Sequence, residues 1–388
     1  MSALRDIAVV GGSIAAVTAA NALRASGFQG SITLYSAESH APYTRPPLSK
    51  DILCGRNTPE SARLHLAADI EVRCGVTATG LDVAARRLRL TTGERIGFDG
   101  LVIATGARAR TLTADPAEWR LRSMDDAVAL RDRLISSSRV VIIGGGPLGM
   151  EIASVCRELG REVTVLDLLP PMRRQVGGYL ADLITEAAVD AGVRVVSTPD
   201  PVEIAGPGLV RAGSLRFEAD TVITAIGEVP NTEWLRESGL TLAGGVLVDP
   251  WLRAAPGIVA AGDVAARRIL GAATADGVRT PLWANAVDQA TAAAAALLGK
   301  ALAPYQPRPY FWTEQFGLSI KVCGDIPGDQ PPTVLEGSRR ARNLVLRWHT
   351  EGAVVAAATV NHRMPIARLR RLAAPANSEY FSLPAESR

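Results

Sequence analysis

Residues 140–151 read Val140-Val-Ile-Ile-Gly144-Gly145-Gly146-Pro147-Leu148-Gly149-Met150-Glu151, and no other stretch says as much about the architecture. An apolar β-branched run leads into a glycine turn and then into a helical segment. This order predicts a strand–turn–helix unit that holds a pyrophosphate against the free N–H groups of a helix start. Gly144 allows the tight turn, Gly146 lets the backbone approach phosphate, and Gly149 lets the helix touch the strand.

An acidic residue lies at the position where such a unit binds the ribose of a dinucleotide. Asp167 lies 21 residues beyond Gly146, at the end of the next predicted strand, Glu162–Asp167. A carboxylate there accepts hydrogen bonds from the ribose 2′-hydroxyl and repels a 2′-phosphate. Leu168 and Leu169 follow it, with no arginine to hold a phosphate. The pattern therefore favours NAD over NADP; the alternative is a turn with a purely structural role.

A second copy of this turn, in which two of the three glycines are replaced, lies 133 residues earlier, in Ile7-Ala-Val-Val-Gly11-Gly12-Ser13-Ile14-Ala15-Ala16. Ser13 replaces the middle glycine and Ala16 the last. Both residues are small, so close approach of a phosphate stays possible. Glu38 or a neighbour would then serve the ribose. Two such turns indicate that two dinucleotides meet and that electrons pass between them.

Length and composition set the class. The 388 residues suffice for two or three domains of roughly 100–200 residues each. With 47% hydrophobic and 21% charged residues, the composition is that of an ordinary soluble globular protein. A net charge of +3 is too small to indicate nucleic-acid binding. The first residues lack a signal-peptide pattern, and the longest apolar stretch, Ala290–Leu298, is far shorter than the ~20 residues that span a bilayer. We therefore expect neither a membrane nor a nucleic-acid partner.

The cysteines and histidines give no sign of a metal or disulfide site. The four cysteines are Cys54, Cys74, Cys156 and Cys323, and no two of them have CxxC spacing. The four histidines are scattered, without the spacing of metal ligands. We expect structural, buried thiols, a cytoplasmic location and no metal site.

The pattern along the chain predicts an α/β fold with two Rossmann-like dinucleotide-binding domains and a small α+β domain at the C-terminal end. Gly257-Ile-Val-Ala-Ala-Gly262-Asp263 and the predicted helix Asn285–Leu298 indicate that the chain returns to the first domain after completing the second. Short alternating runs from Leu318 onwards predict a small antiparallel sheet. The expected domains are residues 1–110 with 238–306, residues 111–237, and residues 307–388.

Nine sequence segments, taken in their order along the chain, resemble those of one known protein family. They are Tyr43-Thr-Arg45-Pro46-Pro47-Leu48-Ser49-Lys50, Ile103-Ala-Thr-Gly106-Ala-Arg108, Leu121-Arg122-Ser-Met-Asp-Asp, the second glycine turn with Glu151, Ile226-Gly227 followed by Pro230-Asn231, Ala261-Gly262-Asp263-Val264, Trp283-Ala-Asn285-Ala286, Pro309-Tyr-Phe-Trp312-Thr-Glu-Gln315 and Ala367-Arg-Leu-Arg-Arg-Leu372. Along nearly its full length the chain resembles the FAD-dependent NADH:ferredoxin reductases of cytochrome P450 and aromatic-dioxygenase systems, a putidaredoxin reductase-like family among the pyridine nucleotide-disulfide oxidoreductases. The resemblance implies a glutathione reductase-like arrangement, in which an FAD-binding domain is interrupted by an NAD-binding domain.

The resemblance also implies roles for particular residues. Lys50 would lie near flavin N5 and pair with Glu151, and these two are the predicted catalytic residues. The predicted FAD-binding residues are Gly11, Ser13, Ala15, Ala16, Glu38, Arg45, Lys50, Ala78, Thr105, Gly106, Arg122, Asp263, Trp283 and Trp312. The predicted NAD-binding residues are Gly144, Gly146, Leu148, Gly149, Glu151, Asp167 and Gly227.

For five of the FAD residues the resemblance implies a specific contact. Asp263 would reach the ribityl or pyrophosphate region, and Arg45 and Arg122 would offset the pyrophosphate charge. Trp283 would offer its backbone N–H to the pyrimidine edge of the flavin, and Trp312 would close the site from the last domain.

Together these features predict a soluble FAD flavoprotein that accepts hydride from NADH and releases electrons singly to a small acidic iron–sulfur ferredoxin. A group of arginines in the last domain would form a basic patch that steers such a partner; a solvated helix face is the alternative reading. These arginines are Arg339, Arg340, Arg342, Arg363, Arg368, Arg370 and Arg371.

Two other functions stay open. An NADH oxidase or disulfide reductase of related architecture would need a thiol beside the flavin, and Cys54 is the candidate. A redox-sensing flavoprotein with slow turnover is the other, because Thr280-Pro281-Leu282 stands where similar reductases usually have an acid shortly before Trp-x-Asn-Ala. The residues name neither the ferredoxin nor the downstream oxygenase, and they leave the oligomeric state and the use of NADPH undecided.

Overall fold

The computed structural model describes residues 4–115, 117–268 and 277–374. It divides into two compact units. The first unit comprises the described residues of Met1–Thr111, Arg120–Ile135 and Gly227–Pro307, and the second comprises those of Leu112–Trp119, Ser136–Ile226 and Arg308–Arg388. No helix in these described ranges is long and apolar enough to cross a membrane.

The regular elements alternate between helices and short strands. The α-helices are α1 (Ile14–Ala25), α2 (Met124–Ile135), α3 (Pro147–Glu158), α4 (Arg173–Asp190), α5 (Trp283–Leu297) and α6 (Ile366–Leu372). The strands up to the end of the second parallel sheet are β1 (Asp6–Val10), β2 (Ser31–Ser36), β3 (Glu71–Cys74), β4 (Ala78–Asp82), β5 (Arg87–Leu90), β6 (Arg95–Gly97), β7 (Gly100–Ile103), β8 (Ala107–Ala109), β9 (Glu118–Trp119), β10 (Arg139–Ile143), β11 (Glu162–Asp167), β12 (Val193–Ser197), β13 (Val202–Gly206), β14 (Leu209–Ala212), β15 (Leu215–Glu218) and β16 (Thr221–Thr224). The remaining strands are β17 (Glu228–Pro230), β18 (Val246–Val248), β19 (Arg253–Ala255), β20 (Ile258–Ala260), β21 (Ala265–Arg267), β22 (Tyr310–Gln315), β23 (Leu318–Gly324), β24 (Thr333–Ser338), β25 (Asn343–Thr350) and β26 (Ala353–Val360).

The first unit is built on a six-stranded sheet in the order β19-β20-β7-β1-β2-β3. All its pairs are parallel except the one between the edge strand β19 and β20. Central strand β1 is buried on both faces, which is why Ile7–Val10 reads as a continuous apolar run. Helix α1 packs against α5 through alanines on both helices, whose small side chains allow close approach. Three smaller sheets, β4-β5-β6, β8-β17 and β18-β21, complete the unit.

The second unit repeats the parallel design and adds a separate antiparallel sheet. Its five parallel strands have the order β12-β11-β10-β16-β9, with β10 in the centre. A three-stranded antiparallel sheet, β13-β14-β15, follows β12 in the chain. The last part of the unit is the antiparallel sheet β22-β23-β26-β25-β24, which buries Trp348 at 1% exposure. The predicted fold class, two dinucleotide-binding α/β sheets and a small α+β part, is confirmed.

Candidate dinucleotide-binding sites

The first glycine turn joins β1 to α1 and has the shape of a phosphate cradle. Gly11 has a φ of +141°, and a Cβ built there would overlap the carbonyl oxygen of Ala104. Ser13 occupies the N-cap position of α1, but its hydroxyl donates to the carbonyl of Tyr43 at 3.0 Å and does not cap the helix. The first N–H groups of α1 therefore have no side-chain cap. Ala15 and Ala16 are both buried, and their small side chains allow close approach to the start of the helix. These features fit a bound pyrophosphate.

The second turn joins β10 to α3 with the same geometry. Gly144 has a φ of +111°, and a Cβ there would overlap the carbonyl oxygen of Ala225. A Cβ on Gly149 would overlap the carbonyl oxygen of Gly144, so the helix lies directly on the turn. Gly146 is the N-cap of α3 and supplies no capping side chain, and Leu148 follows in the first turn of the helix. This turn also fits a pyrophosphate at an uncapped helix start.

The structure places Asp167 beside this turn, at the end of β11. One carboxylate oxygen, Oδ2, accepts the backbone N–H of Gly145 at 2.6 Å, and Oδ1 accepts that of Leu169 at 3.3 Å. These two bonds fix the carboxylate at the edge of the cradle. Each oxygen has two lone pairs, so the group retains capacity to accept a ribose hydroxyl.

In the first unit, Tyr43 joins three predicted FAD residues. Its hydroxyl donates to Oε2 of Glu38 and accepts Nη1 of Arg45 at 3.2 Å. It also accepts the backbone N–H of Met124, the first residue of α2, at 2.9 Å. Its backbone carbonyl accepts the hydroxyl of Ser13. Burial, together with the neighbouring Glu38 carboxylate, raises the pKa of Tyr43 well above its usual range, so it stays a neutral donor.

Arg45 and Glu38 lie together in this cluster. The Arg45 Nη2 to Glu38 Oε1 distance is 2.8 Å, and Nη1 of Arg45 also donates to the carbonyl of Arg122. Burial acts to lower the pKa of Arg45, but Tyr43 and Glu38 more than offset it, so the net shift is upward. Arg45 and Glu38 were predicted as separate contacts, one to the pyrophosphate and one to the ribose. Tyr43, which links them, belongs to a quoted motif but was given no role.

A second charge cluster in the first unit contains Arg122 and Asp263. Nη2 of Arg122 lies 2.7 Å from Oδ2 of Asp263, and Nη1 lies 3.5 Å from Oε2 of Glu228. Arg279 donates to Oε1 of Glu228 at 2.7 Å and to the carbonyl of Asp263 at 2.9 Å. Burial, and then the nearby Asp263 charge, raise the pKa of Glu228, with both arginines acting in the opposite direction.

Sequence reasoning missed Glu228 and Arg279. A signal was present, since Glu228 directly follows Gly227 and Arg279 directly precedes Thr280-Pro281-Leu282. That tripeptide contains no acidic residue. The carboxylate that pairs with Arg279 is that of Glu228, the first residue of β17. Pairing across such a separation is not visible in local sequence.

The other predicted residues of the first unit fall into three groups. Thr105 and Asn231 exchange hydrogen bonds, with Thr105 Oγ1 donating to the Asn231 carbonyl and Asn231 Nδ2 donating to the Thr105 carbonyl, both at 2.9 Å. Gly106 accepts the N–H of Asn231 at 3.0 Å. Trp283 begins α5 and donates its Nε1 to Thr44 Oγ1 at 2.9 Å. The remaining three are the half-buried Lys50, the buried Ala78 of β4, and Gly227, whose carbonyl accepts the N–H of Arg110 at 3.0 Å.

Two further predicted residues lie in the second unit. Glu151, in α3, is 9% exposed and accepts the hydroxyl of Thr313 at 2.8 Å. Trp312, in β22, stacks on Tyr310 with a centroid distance of 5.8 Å.

Part of the predicted basic patch is neutralised within the second unit. Arg339 pairs with Glu186 at 2.7 Å and Arg342 pairs with Asp190, both acids lying on α4. Arg368 lies 3.7 Å from Glu336. Arg340, Arg363 and Arg371 are exposed and Arg370 is half-buried, so part of the predicted positive charge remains at this surface.

Two uncapped glycine turns on parallel sheets define a two-dinucleotide oxidoreductase. The chain belongs to the pyridine nucleotide-disulphide oxidoreductase family, whose model matches residues 5–290, and a reductase C-terminal model matches residues 310–380.

Named relatives refine this class. The chain is 34% identical to the benzene 1,2-dioxygenase system ferredoxin–NAD(+) reductase subunit of Pseudomonas putida, covering 94% of this chain and 92% of that protein. It is 37% identical to the ferredoxin reductase component of chlorobenzene dioxygenase from Cupriavidus sp., covering 83% and 81%. Among solved structures it is similar to the covalent putidaredoxin reductase–putidaredoxin complex, with a TM-score of 0.83, 30% identity, and coverage of 95% and 92%. The resemblance inferred from the motifs is confirmed.

Removing the Tyr43 hydroxyl is expected to weaken FAD binding. Tyr43→Phe leaves the Glu38 carboxylate without one donor and the Met124 N–H without its acceptor. Losing a buried hydrogen bond to a charged group costs about 1.5–3 kcal/mol, which corresponds to a roughly 10- to 100-fold rise in the FAD dissociation constant. Fluorescence titration of the apoprotein with FAD measures it. Tyr35→Phe on β2 removes a hydroxyl next to Thr33 and Arg73 and serves as the control. Equal FAD affinity in the two variants would contradict the role given to Tyr43.

Proposed function

We propose that this protein passes electrons from NADH through FAD to a small acidic iron–sulfur ferredoxin that serves a cytochrome P450 or dioxygenase. The observation that carries the proposal is the repetition of one uncapped glycine turn, at Gly11 and at Gly144, on two separate parallel sheets. The relatives named as ferredoxin reductases support the choice of acceptor.

The first unit is assigned FAD and the second NADH. Asp167 supports NADH, because a fixed carboxylate at the ribose edge accepts a 2′-hydroxyl and repels a 2′-phosphate. The domain limits proposed are residues 1–110 with 238–306 for FAD, 111–237 for NADH and 307–388 for the C-terminal domain. The cytoplasm is the proposed compartment, supported by four cysteines that are all free thiols.

FAD, when bound, supplies the chemistry of accepting two electrons from a nicotinamide and releasing them one at a time. The residues of this chain bind and orient. In the first unit, Arg45 with Glu38 and Arg122 with Asp263 are paired ions. The unpaired helix start at Gly11–Ser13 therefore supplies the attraction for pyrophosphate, and the paired ions supply fixed hydrogen-bonding groups. Lys50 and Glu151 remain the proposed catalytic residues.

The direct test is NADH-driven reduction of cytochrome c with and without a panel of small acidic ferredoxins. We expect at least one ferredoxin to stimulate the rate strongly, because it relays single electrons from the flavin. Flavin bleached by NADH with no stimulation by any ferredoxin would favour the NADH oxidase or sensor alternatives.

Alkylation of the thiols is expected to leave NADH-dependent flavin reduction unchanged. Burial raises the pKa of Cys156 to about 12 and that of Cys323 to about 11, and burial also raises the pKa of Cys74. These thiols therefore carry little thiolate at neutral pH, and the thiolate is the reactive form. Treatment with iodoacetamide, with modified sites read by mass spectrometry, checks this. Loss of flavin reduction in step with labelling of Cys54 would instead support the disulfide-reductase alternative.

A further inference from the structure

In the second unit, one face of α3 presents two buried polar side chains to β22 and to the turn that follows it. Glu151 and Ser154 are three residues apart on the helix and so lie on the same face. Glu151 is 9% exposed and Ser154 is 5% exposed. Since α3 also begins at the second glycine turn, this face is rigidly tied to the proposed NADH cradle.

Strand β22 contacts the first of these side chains, and the turn that follows β22 contacts the second. Thr313 donates its hydroxyl to Oε1 of Glu151 at 2.8 Å, and the backbone N–H of Phe316 donates to the hydroxyl of Ser154 at 2.8 Å. Phe316 and Gly317 both have positive φ, which makes the tight turn into β23. The two contacts set the register of the strand against the helix.

The hydroxyl of Thr313 has only one hydrogen, and its neighbours decide where that hydrogen points. Gln315, two residues on and therefore on the same strand face, donates its Nε2 to Thr313 Oγ1 at 3.0 Å. An amide nitrogen only donates, so Thr313 accepts from Gln315 and its own hydrogen is left for Glu151. A hydroxyl that accepts one bond donates a stronger one. Thr313 is 0% exposed and Gln315 is 3% exposed, so water does not compete with this chain of bonds.

We infer that Thr313 is a positioning residue for the NADH reaction: its hydroxyl, oriented by Gln315, holds the Glu151 carboxylate in one orientation at the nucleotide-binding end of α3. The inference rests on the proposed function, in which the second unit binds NADH. It gives the C-terminal part of the chain a task in nucleotide handling that is separate from contact with an electron acceptor.

The test compares Thr313→Val with Thr313→Ser in the FAD-loaded protein. Valine has the shape of threonine without the hydroxyl, whereas serine keeps the hydroxyl. We expect the limiting rate of flavin reduction by saturating NADH, measured by stopped flow, to fall about tenfold in Thr313→Val, as for loss of one hydrogen bond to a charged group. Thr313→Ser is expected to stay within about twofold of the wild type. Ser154→Ala breaks the contact between the helix and the turn at Phe316, and it is also expected to stay within about twofold.

A double-mutant cycle separates positioning from a general structural effect. In a Glu151→Ala background, Thr313→Val is expected to lower the rate by less than about twofold, because the carboxylate that the hydroxyl would hold is already absent. A full tenfold loss in that background would overturn the inference, as would a wild-type rate in Thr313→Val or an equal loss in Ser154→Ala.

A second readout does not need turnover. Protein reduced with dithionite and then titrated with NAD⁺ reports nicotinamide stacking through a long-wavelength charge-transfer band. We expect that band to weaken in Thr313→Val and to be retained in Thr313→Ser and Ser154→Ala. An unchanged band in Thr313→Val would overturn the inference. Failure of NADH to reduce the wild-type flavin would instead count against the proposed function, and the two failures are therefore distinguishable.

Discussion

Replacing Gly146 by Val is expected to weaken NADH binding at least about 100-fold, and so to slow reduction of the bound flavin at limiting NADH, while leaving the protein folded and yellow. Gly146 has a φ of −74° and a ψ of −177°, which any amino acid adopts. A Cβ at this position would have its nearest neighbour, Nε2 of Gln175, at 3.9 Å. The fold itself therefore does not require glycine here. Glycine is required because a side chain would fill the space over the N-terminus of α3, where the proposed pyrophosphate must approach the backbone.

The size of the effect follows from the bonds that the valine side chain would block. Hydrogen bonds between a helix start and a charged phosphate are worth about 1.5–3 kcal/mol each, so losing two raises the NADH dissociation constant by at least about 100-fold. We expect the melting temperature to change by no more than about 3 °C, as for a shift in stability below 1 kcal/mol. Stopped-flow bleaching by NADH, compared with bleaching by dithionite, measures the loss.

Gly160→Ala at the other end of α3 is the matched control. A Cβ there meets nothing within 4 Å, and its φ of +74° costs about 1 kcal/mol in stability. It is expected to reduce stability slightly and to leave NADH affinity unchanged. If Gly146→Val were reduced by NADH at the wild-type rate, the second turn would not be the NADH site. Loss of the yellow colour in Gly146→Val would assign FAD to that turn.

The sequence predicted the two turns well because their chemistry is local. A Cβ on Gly11, Gly144 or Gly149 would overlap a backbone carbonyl within or beside the turn. The same requirement for glycine recurs wherever a strand leads into a helix whose N-terminus binds a phosphate. The position of Asp167 followed from the same repeat. These features depend on spacing along the chain, which a single sequence displays.

The charge clusters could not be predicted in the same way. Glu228 and Arg122 come from distant segments, and only the folded first unit brings them to 3.5 Å. The resemblance assigned Arg45 and Arg122 to the pyrophosphate, and the structure adds that Glu38 and Asp263 are their ion-pair partners.

Replacing Asp167 by Asn is expected to shift the choice of nucleotide from NADH towards NADPH. The carboxylate is fixed by N–H groups of Gly145 and Leu169, so its charge stands at the ribose edge of the cradle. Asparagine keeps an acceptor oxygen but removes the charge that repels a 2′-phosphate. For NADH, one charged hydrogen bond becomes neutral, a loss of about 1 kcal/mol; for NADPH, relief of charge repulsion at about 4–6 Å gains about 1–3 kcal/mol. The two effects sum to about 2–4 kcal/mol, so the ratio of kcat/KM values for NADH and NADPH is expected to fall by about 30- to 700-fold.

Glu162→Gln tests whether this shift is local. Glu162 begins the same strand, β11, and is exposed, so the substitution removes the same charge at the end of the strand away from the cradle. Its nucleotide preference should match the wild type, because exposed charges separated by more than ~8 Å are largely screened at physiological salt. An equal shift in both variants would make the preference a property of net charge. No shift in Asp167→Asn would mean that the ribose lies elsewhere, and that Asp167 serves only to hold Gly145 and Leu169 in the turn. Because leucines follow Asp167, no cation replaces the lost contact, so the substitution is expected to relax the preference without reversing it fully.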